Sequence, residues 1–446
     1  MRRIPVGLLG LGNVGSGVVK LLSDNAHAIA ARLGGASVEV RKIAVREADK
    51  PRLVDVDPRL LTTDLNSVVN DPEIQILVEL IGGEEPARTA VLGGLAAGKH
   101  VVTANKALLA LHGEEVFAAA EAKGLDVYFE ASVGGGVPII RALREGLASD
   151  RVDALVGIVN GTSNFLLTQM AESGRAFDDI LKEAQELGYA EADPSLDVDG
   201  WDAAHKLCVL VPLCFGVRVK IDQVLVEGLR GIAPVDLRYA QRFGYVLKPL
   251  VIARDHGDSV ETRVHPTLIP ERFMLSSVNG VYNAVHVTSY ALGSSLYYGR
   301  GAGMMPTAVA VVSDIIEVSR NLLAQSAGGA TLRRQSLALS AGSSRRIRAA
   351  SELETRYYLR FDVADKPGVL AQLAGILGEH GISIHQMVQE GGGRGDEKAV
   401  ADGASEPVMV VMTTHKASEG AMQRALAQIN ALPAVASPTR LLRIYE

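Results

Sequence analysis

Up to about residue 130, short apolar runs alternate with stretches whose apolar positions recur at helical spacing. Val6–Leu9, Val38–Val45, Ile74–Leu80, His100–Thr103 and Leu125–Phe129 read as strands. Val14–Leu22, Pro86–Ala97 and Lys106–Ala122 read as helices, with Gly98 and Gly124 as C-terminal stops. Strands separated by helices in this way predict a parallel doubly wound sheet, a Rossmann-like α/β domain.

From Gly136 the texture changes. Val152–Val159 predicts a strand. Tyr245–Arg254 and Val260–Leu268 predict two more, joined by the turn Asp255-His256-Gly257-Asp258. Val281–Tyr290 predicts another, and Thr307–Leu323 a long amphipathic helix. This part is expected to be α+β around a largely antiparallel sheet. Ser326–Ala350 is rich in Gly and Ser, carries Arg333, Arg334, Arg345, Arg346 and Arg348, and predicts a solvated linker. The remaining elements are Arg356–Val363, Gly368–Glu379, Ile382–Gln389, Val408–Thr414, Glu419–Ile429 and Thr439–Ile444. Their order is βαββαβ, a ferredoxin-like unit. Inside it, Gly391–Glu406 predicts a mobile loop. The expected division is 1–135 (nucleotide-binding), 136–325 (catalytic and dimerisation), 326–352 (linker) and 353–446 (regulatory), with helix 304–324 packing back on the first domain.

Composition narrows the classes. With 48% apolar and 22% charged residues among 446, the chain is globular rather than disordered. A formal charge of −6 argues against a nucleic-acid partner, which calls for a basic surface. Cys208 and Cys214 share one apolar stretch and form no CxxC pair. A disulfide framework is excluded, and a reducing, cytoplasmic setting is expected. Leu207–Val217 is too short to span a membrane and contains Pro212.

Gly10-Leu11-Gly12-Asn13-Val14-Gly15 follows a predicted strand and opens a predicted helix, the context that gives a GxGxxG its meaning. Gly10 makes the turn, Gly12 admits a pyrophosphate, and Gly15 lets helix meet strand. The next strand ends in Arg46, with Lys50 and Arg52 behind, where an acid would hold the ribose of NAD. An arginine suits the 2′-phosphate of NADP, so NADP is the expected cofactor and NAD the alternative. Thr103-Ala104-Asn105-Lys106 follows a strand whose carboxyl end borders the same crevice. Glu130-Ala131-Ser132-Val133-Gly134-Gly135-Gly136-Val137-Pro138 sets bare carbonyls beside a carboxylate, a donor set for a cation or a hinge between domains.

The densest cluster runs from Gly188 to Lys206 and holds Tyr189, Glu191, Asp193, Asp197, Asp199, Asp202 and Lys206. Asp199 is expected to cap a helix on which Asp202 and Lys206, four apart, share a face. That pattern suits a substrate with an ammonium and a reacting oxygen: carboxylates hold the first and a lysine protonates the second. Such a lysine needs its pKa lowered by burial. Asn160-Gly161-Thr162-Ser163-Asn164 offers backbone donors near a substrate, and Gly299-Arg300-Gly301-Ala302-Gly303 reads as a turn that approaches the nicotinamide or simply turns the chain.

Together these motifs resemble homoserine dehydrogenase along the whole chain, most specifically through GYAEADPSLDVDGWDAAHK. The resemblance implies NAD(P)H-dependent reduction of L-aspartate 4-semialdehyde to L-homoserine, in threonine, methionine and isoleucine biosynthesis. It implies Lys206 as proton donor, with Lys106 assisting at cofactor and substrate. Glu191, Asp202 and Asp197 would hold the substrate, and Gly161, Thr162 and Tyr189 would line the site. Gly10, Leu11, Gly12, Asn13, Val14, Gly15, Arg46, Thr103, Lys106 and Gly303 would meet the cofactor. Glu130 with the carbonyls of Val133, Gly135 and Val137 would bind a monovalent cation, sodium. The C-terminal unit resembles an ACT domain through Asp365-Lys366-Pro367-Gly368-Val369-Leu370 and Gly381-Ile382-Ser383-Ile384. That implies threonine as effector at paired ACT domains, and a homodimer or homotetramer. Two other readings compete. Aspartate-semialdehyde dehydrogenase chemistry needs a reactive thiol in a polar setting, which the apolar context of both cysteines opposes. A non-catalytic sensor has no use for the acid–lysine cluster.

Overall fold

The computed structural model describes residues 2–326, 345–390 and 407–446. Arg333, Arg334 and the Gly391–Glu406 loop lie outside the described residues.

Six parallel strands form the first sheet, in the order Leu61–Thr62, Ser37–Ala44, Arg3–Leu9, Ile76–Glu79, His100–Thr103, Val127–Tyr128. All four residues of Ile76–Glu79 and of His100–Thr103 are buried, as expected of strands covered on both faces. Strand order reverses between Arg3–Leu9 and Ile76–Glu79, so the binding crevice opens at their carboxyl ends. Two short helices, Ala26–Arg32 and Leu65–Val69, are not legible in the apolar pattern, being only two turns or less.

The helix Met304–Ser326 returns to this sheet. Its Ala308, Val311 and Ile315 share a core with Ile4, Val6 and Leu8. A Cβ on Gly17 would stand 2.6 Å from the Met304 carbonyl, so the helix Asn13–Asp24 meets it at backbone distance. The end of the catalytic region is thereby built into the nucleotide region.

The second sheet is one surface from the middle of the chain to its end. Gly293–Arg300, Tyr282–Ser289, Val152–Ile158, Tyr245–Asp255 and Ser259–Pro270 run antiparallel. Ser259–Pro270 then pairs in parallel with Arg440–Ile444, in register Thr267 to Arg443. Beyond that come Glu354–Val363, Val408–Thr414 and Ile384–Glu390, with helices Val369–Glu379 and Glu419–Asn430 completing the βαββαβ unit. The C-terminal unit is thus sewn to the catalytic sheet by main-chain pairing. Residues 345–352, expected within a solvated linker, are also pinned. Arg346–Ile347 pairs with Ser259–Pro270, and the Arg345 guanidinium donates to Asp255 at 2.7 Å. Gly299-Arg300, expected in a turn, instead end a strand. No helix among the described residues is long and apolar enough to cross a membrane.

Candidate active site

Three glycines shape the mouth of the crevice. Gly10 adopts φ +106° and its amide donates to the Ala44 carbonyl at 2.9 Å. A Cβ on Gly15 would lie 2.4 Å from the Gly10 carbonyl, so helix and loop touch there. A Cβ on Gly12 would meet nothing within 4 Å. That open space lies at the N-terminus of the helix Asn13–Asp24, where free amides and the positive dipole end face outward. The three roles expected of these glycines fit a dinucleotide. Leu11 is buried in the core while lining the same cleft, and Val14 is half-buried against that core. Asn13 is exposed at its rim. Arg46, Lys50 and Arg52 line the same cleft, with Arg52 donating to the Glu47 carbonyl.

Thr103 plays a different part from the one expected. It is fully buried; its hydroxyl donates to Glu79 Oε2 at 2.6 Å and accepts from the Asn105 amide at 3.0 Å. The other Glu79 oxygen accepts from the Ile81 and Gly82 amides. Asn105 caps the helix Lys106–Lys123 through the Leu108 amide and donates to the Gly83 carbonyl. Thr103 therefore fixes the loop that delivers Lys106. Glu79 belongs to none of the sequence motifs; its signal is a charged residue at the carboxyl end of an otherwise apolar buried strand.

Lys106 and Lys206 converge on Asp202. Lys206 Nζ donates to Asp202 Oδ2 at 2.6 Å and to the Val159 carbonyl at 2.7 Å. Lys106 Nζ stands 3.1 Å from Asp202 Oδ1. Asn160 Nδ2 donates to Asp202 Oδ2 and to Asp197 Oδ1, both at 2.7 Å, while its carbonyl oxygen caps the helix Gly161–Ser173 through Ser163. In the sequence Asn160 is only one residue of a loop; in the structure its side chain is the hub. Burial pushes the Asp202 carboxyl up, but Lys206, Lys106 and Asn160 together hold it below the usual range. Asp202 in turn raises the Lys106 ammonium against the effect of burial, with Asp197 and Glu191 adding to it.

Asp199 does not cap the helix Trp201–Phe215. Gly200, at φ +88°, holds that position, and Asp199 Oδ1 accepts from Arg230 Nε at 2.6 Å. Thr162 Oγ1 donates to the Tyr189 carbonyl at 2.8 Å, which ties the Gly161–Ser173 helix to the acidic loop. The Tyr189 ring sits 4.9 Å from that of Phe165 and is 47% exposed, so it borders the opening. Glu191 is exposed there as well. Gly161 is small because a Cβ would meet the Val281 carbonyl at 2.8 Å.

The Glu130 loop lies under the second glycine turn. A Cβ on Gly135 would stand 2.4 Å from the Gly301 carbonyl, and the Gly136 amide donates to the Arg300 carbonyl. Gly303, at φ +121°, leads into Met304 beside Gly17, which brings it toward the nucleotide-side helix. Glu130 accepts from the Ile140 and Arg141 amides, and the Val137 carbonyl accepts from Ile139. Both are thus engaged within the protein, while the carbonyls of Val133 and Gly135 accept no hydrogen bond among the described residues. Burial raises the Glu130 carboxyl. Beside it, burial and then Glu130 push Asp314 up to about 7.

Burial also pushes the Cys208 thiol up to about 12 and raises Cys214 further. Thiols held protonated by burial are poor nucleophiles, which opposes thiolate chemistry here.

A family model described as homoserine dehydrogenase matches residues 138–316, and one described as homoserine dehydrogenase, NAD binding domain, matches residues 10–130. An ACT domain model matches residues 357–434. The homoserine dehydrogenase of Pseudomonas aeruginosa is 45% identical over 448 residues, covering 100% of both chains. The crystal structure of a homoserine dehydrogenase from Thiobacillus denitrificans is 46% identical, with a TM-score of 0.89 over 100% of this chain and 99% of that one. A hyperthermophilic archaeal homoserine dehydrogenase in complex with NADPH is 25% identical, with a TM-score of 0.62 over 74% of this chain and 100% of that one.

Proposed function

The chain belongs to the homoserine dehydrogenase family, oxidoreductases of amino-acid biosynthesis that act on a CH–OH group and bind a nicotinamide nucleotide, and from that premise we propose how its residues divide the work. The reaction is the reversible interconversion of L-homoserine and L-aspartate 4-semialdehyde, on the route to threonine, methionine and isoleucine. When bound, the nicotinamide supplies or accepts the hydride.

The observation that carries the assignment is the convergence of two lysines on Asp202. An ammonium has three donors. Lys206 gives two of them to Asp202 and the Val159 carbonyl, which leaves one for a substrate oxygen. In the direction of reduction that donor stabilises the growing negative charge and then protonates it. Lys106, at the start of its helix, places a second positive charge beside the same oxygen and the cofactor. Asp202 meets two lysines and an asparagine, so we assign it to orienting both lysines as much as to holding substrate. Glu191, exposed, and Asp197, with one oxygen still open, take the substrate ammonium. Gly161, Thr162 and Tyr189 line the pocket.

NADP is the preferred nucleotide, with NAD as the lesser one; Arg46 in the glycine-loop cleft supports this. A sodium ion at Glu130 and the carbonyls of Val133, Gly135 and Val137 would brace the turn between the two regions, hard oxygen donors being what such a cation takes. The effector of the ACT unit is threonine. The assembly is a homodimer or homotetramer, for which Gly293–Arg300 at the sheet edge offers open main-chain groups and Tyr290, Leu292 and Tyr298 offer exposed apolar area. The domain division at 1–135, 136–325, 326–352 and 353–446 belongs to the same reading.

The test mixes L-homoserine with NADP⁺ or NAD⁺ and follows reduced nicotinamide, with and without threonine, for the parent and Lys206→Ala. Turnover in the parent that falls by about a hundredfold or more in the variant supports these roles. Equal turnover in both would remove Lys206 as proton donor.

A further inference from the structure

Arg443 lies in the strand that joins the ACT unit to the catalytic sheet, and it is 1% exposed. Its guanidinium donates to both oxygens of Glu419, at 2.8 and 2.6 Å, within its own unit. It also donates to both oxygens of Glu227, at 2.8 and 2.7 Å, across the seam. A two-sided bidentate arginine fixes distance and direction at once.

Glu227 begins a four-residue strap with the ACT unit on one side and the acidic loop on the other. On the ACT side, Arg440 Nη1 donates to the Arg230 carbonyl at 3.1 Å, and Arg443 holds Glu227. On the loop side, a Cβ on Gly228 would stand 2.6 Å from both the Val198 carbonyl and the Asp199 Cα. The Leu229 amide donates to the Val198 carbonyl at 2.8 Å, and Arg230 Nε donates to Asp199 Oδ1 at 2.6 Å. That loop carries Asp197, which meets the hub Asn160. The contact is backbone on backbone, without a side chain between to absorb a displacement, and packed interiors shift between discrete arrangements rather than deform smoothly.

We propose that Glu227–Arg230 is a strap through which Arg443 and Arg440 of the ACT unit set the position of Asp197, making Arg443 and Glu227 positioning residues for homoserine binding. The proposal rests on the reading of Asp197 as a substrate-binding residue. None of these strap contacts involves the glycine-loop cleft. Disturbing the strap therefore acts on homoserine and leaves the nucleotide alone.

The experiment uses the full chain and measures KM for L-homoserine, kcat, the Kd for NADP⁺ by calorimetry, and Tm. Glu227→Gln keeps size at a side chain that is 38% exposed. Gly228→Ala presses a methyl on the loop, and Arg230→Met removes a surface pair. Each raises the homoserine KM by about fivefold to tenfold while the NADP⁺ Kd stays within about twofold. Arg443→Lys also loosens the pair with Glu419 and so lowers Tm more than Glu227→Gln, but in the double variant the homoserine KM rises no further than in the larger single change, because both cut the Arg443–Glu227 contact. Asp197→Asn is measured beside them. If it raises the homoserine KM while folded Glu227→Gln, Gly228→Ala and Arg230→Met do not, the strap is overturned and the site reading stands. If Asp197→Asn leaves KM unchanged, the site reading itself fails and takes the strap with it. A parallel loss of NADP⁺ affinity and Tm in the strap variants overturns the proposal as general loosening.

Discussion

Lys106 and Lys206 approach opposite oxygens of one carboxylate, Asp202, the first from the opening turn of a nucleotide-side helix and the second from the catalytic helix that carries Asp202 itself. The bridge joins the part of the protein that binds the nucleotide to the part that binds the substrate. It also links the protonation of Lys106 to the charge of Asp202.

Asp202→Asn tests that link. Removing the charge takes away the largest influence that raises Lys106. The alkaline limb of the pH profile of kcat/KM moves to lower pH, and kcat/KM at neutral pH falls by about a hundredfold. A limb that stays in place would show that Lys106 does not titrate in that profile.

Gly12 and Gly15 separate binding from folding. Gly12→Ala meets open space, so Tm is unchanged while NADP⁺ affinity drops by about tenfold, the methyl lying where a phosphate approaches. Gly15→Ala drives a methyl against the Gly10 carbonyl and lowers stability by about 1–3 kcal/mol. Denaturant melts and nucleotide titrations of the two variants check the contrast, and the same pattern in both would contradict it.

Arg46→Glu exchanges the nucleotide preference. The ratio of kcat/KM for NADP⁺ to that for NAD⁺ falls by about tenfold to a hundredfold, because a carboxylate repels a 2′-phosphate and accepts from ribose hydroxyls. An unchanged ratio would place Arg46 outside the nucleotide site.

Lys248 predicts a pH dependence of stability. It is 2% exposed, and Nζ donates to the Val278 carbonyl and to Asn279 Oδ1, both at 2.7 Å. Burial pushes its pKa down to about 8 from 10.5. Below pH 8 the fold carries the cost of a buried ammonium. Between pH 8 and 10.5 the unfolded chain binds the proton more tightly, so unfolding free energy rises with pH by up to about 3 kcal/mol from this group. Lys248→Met removes that rise. Denaturation of parent and variant at both ends of this window measures it as a difference, and equal slopes would contradict it.

Much of the site is legible in the sequence because its signals are local. The GxGxxG roles depend on a strand before and a helix after, both readable from apolar spacing. Asp202 and Lys206 share a face because four residues are about one helical turn. The expected cap at Asp199 fails because Gly200 at positive φ ends the approach one residue later and frees Asp199 to meet Arg230. Glu79 and the Asn160 side chain stay hidden in the sequence because each matters only through partners distant in the chain: Thr103 for the first, Asp202 for the second.

The sequence by itself determined the doubly wound sheet, the antiparallel middle region, the βαββαβ unit, and the kinship that names the chemistry. Their repeats and motifs are written in consecutive residues, and local sterics and burial act on these directly. Only the tertiary structure decided that the ACT unit continues the catalytic sheet in register Thr267 to Arg443, and that Lys106 reaches Asp202. It also turned Thr103 inward to Glu79. Those outcomes depend on which buried polar groups find partners once separate elements pack, and an unpaired buried charge costs too much for any other arrangement to compete.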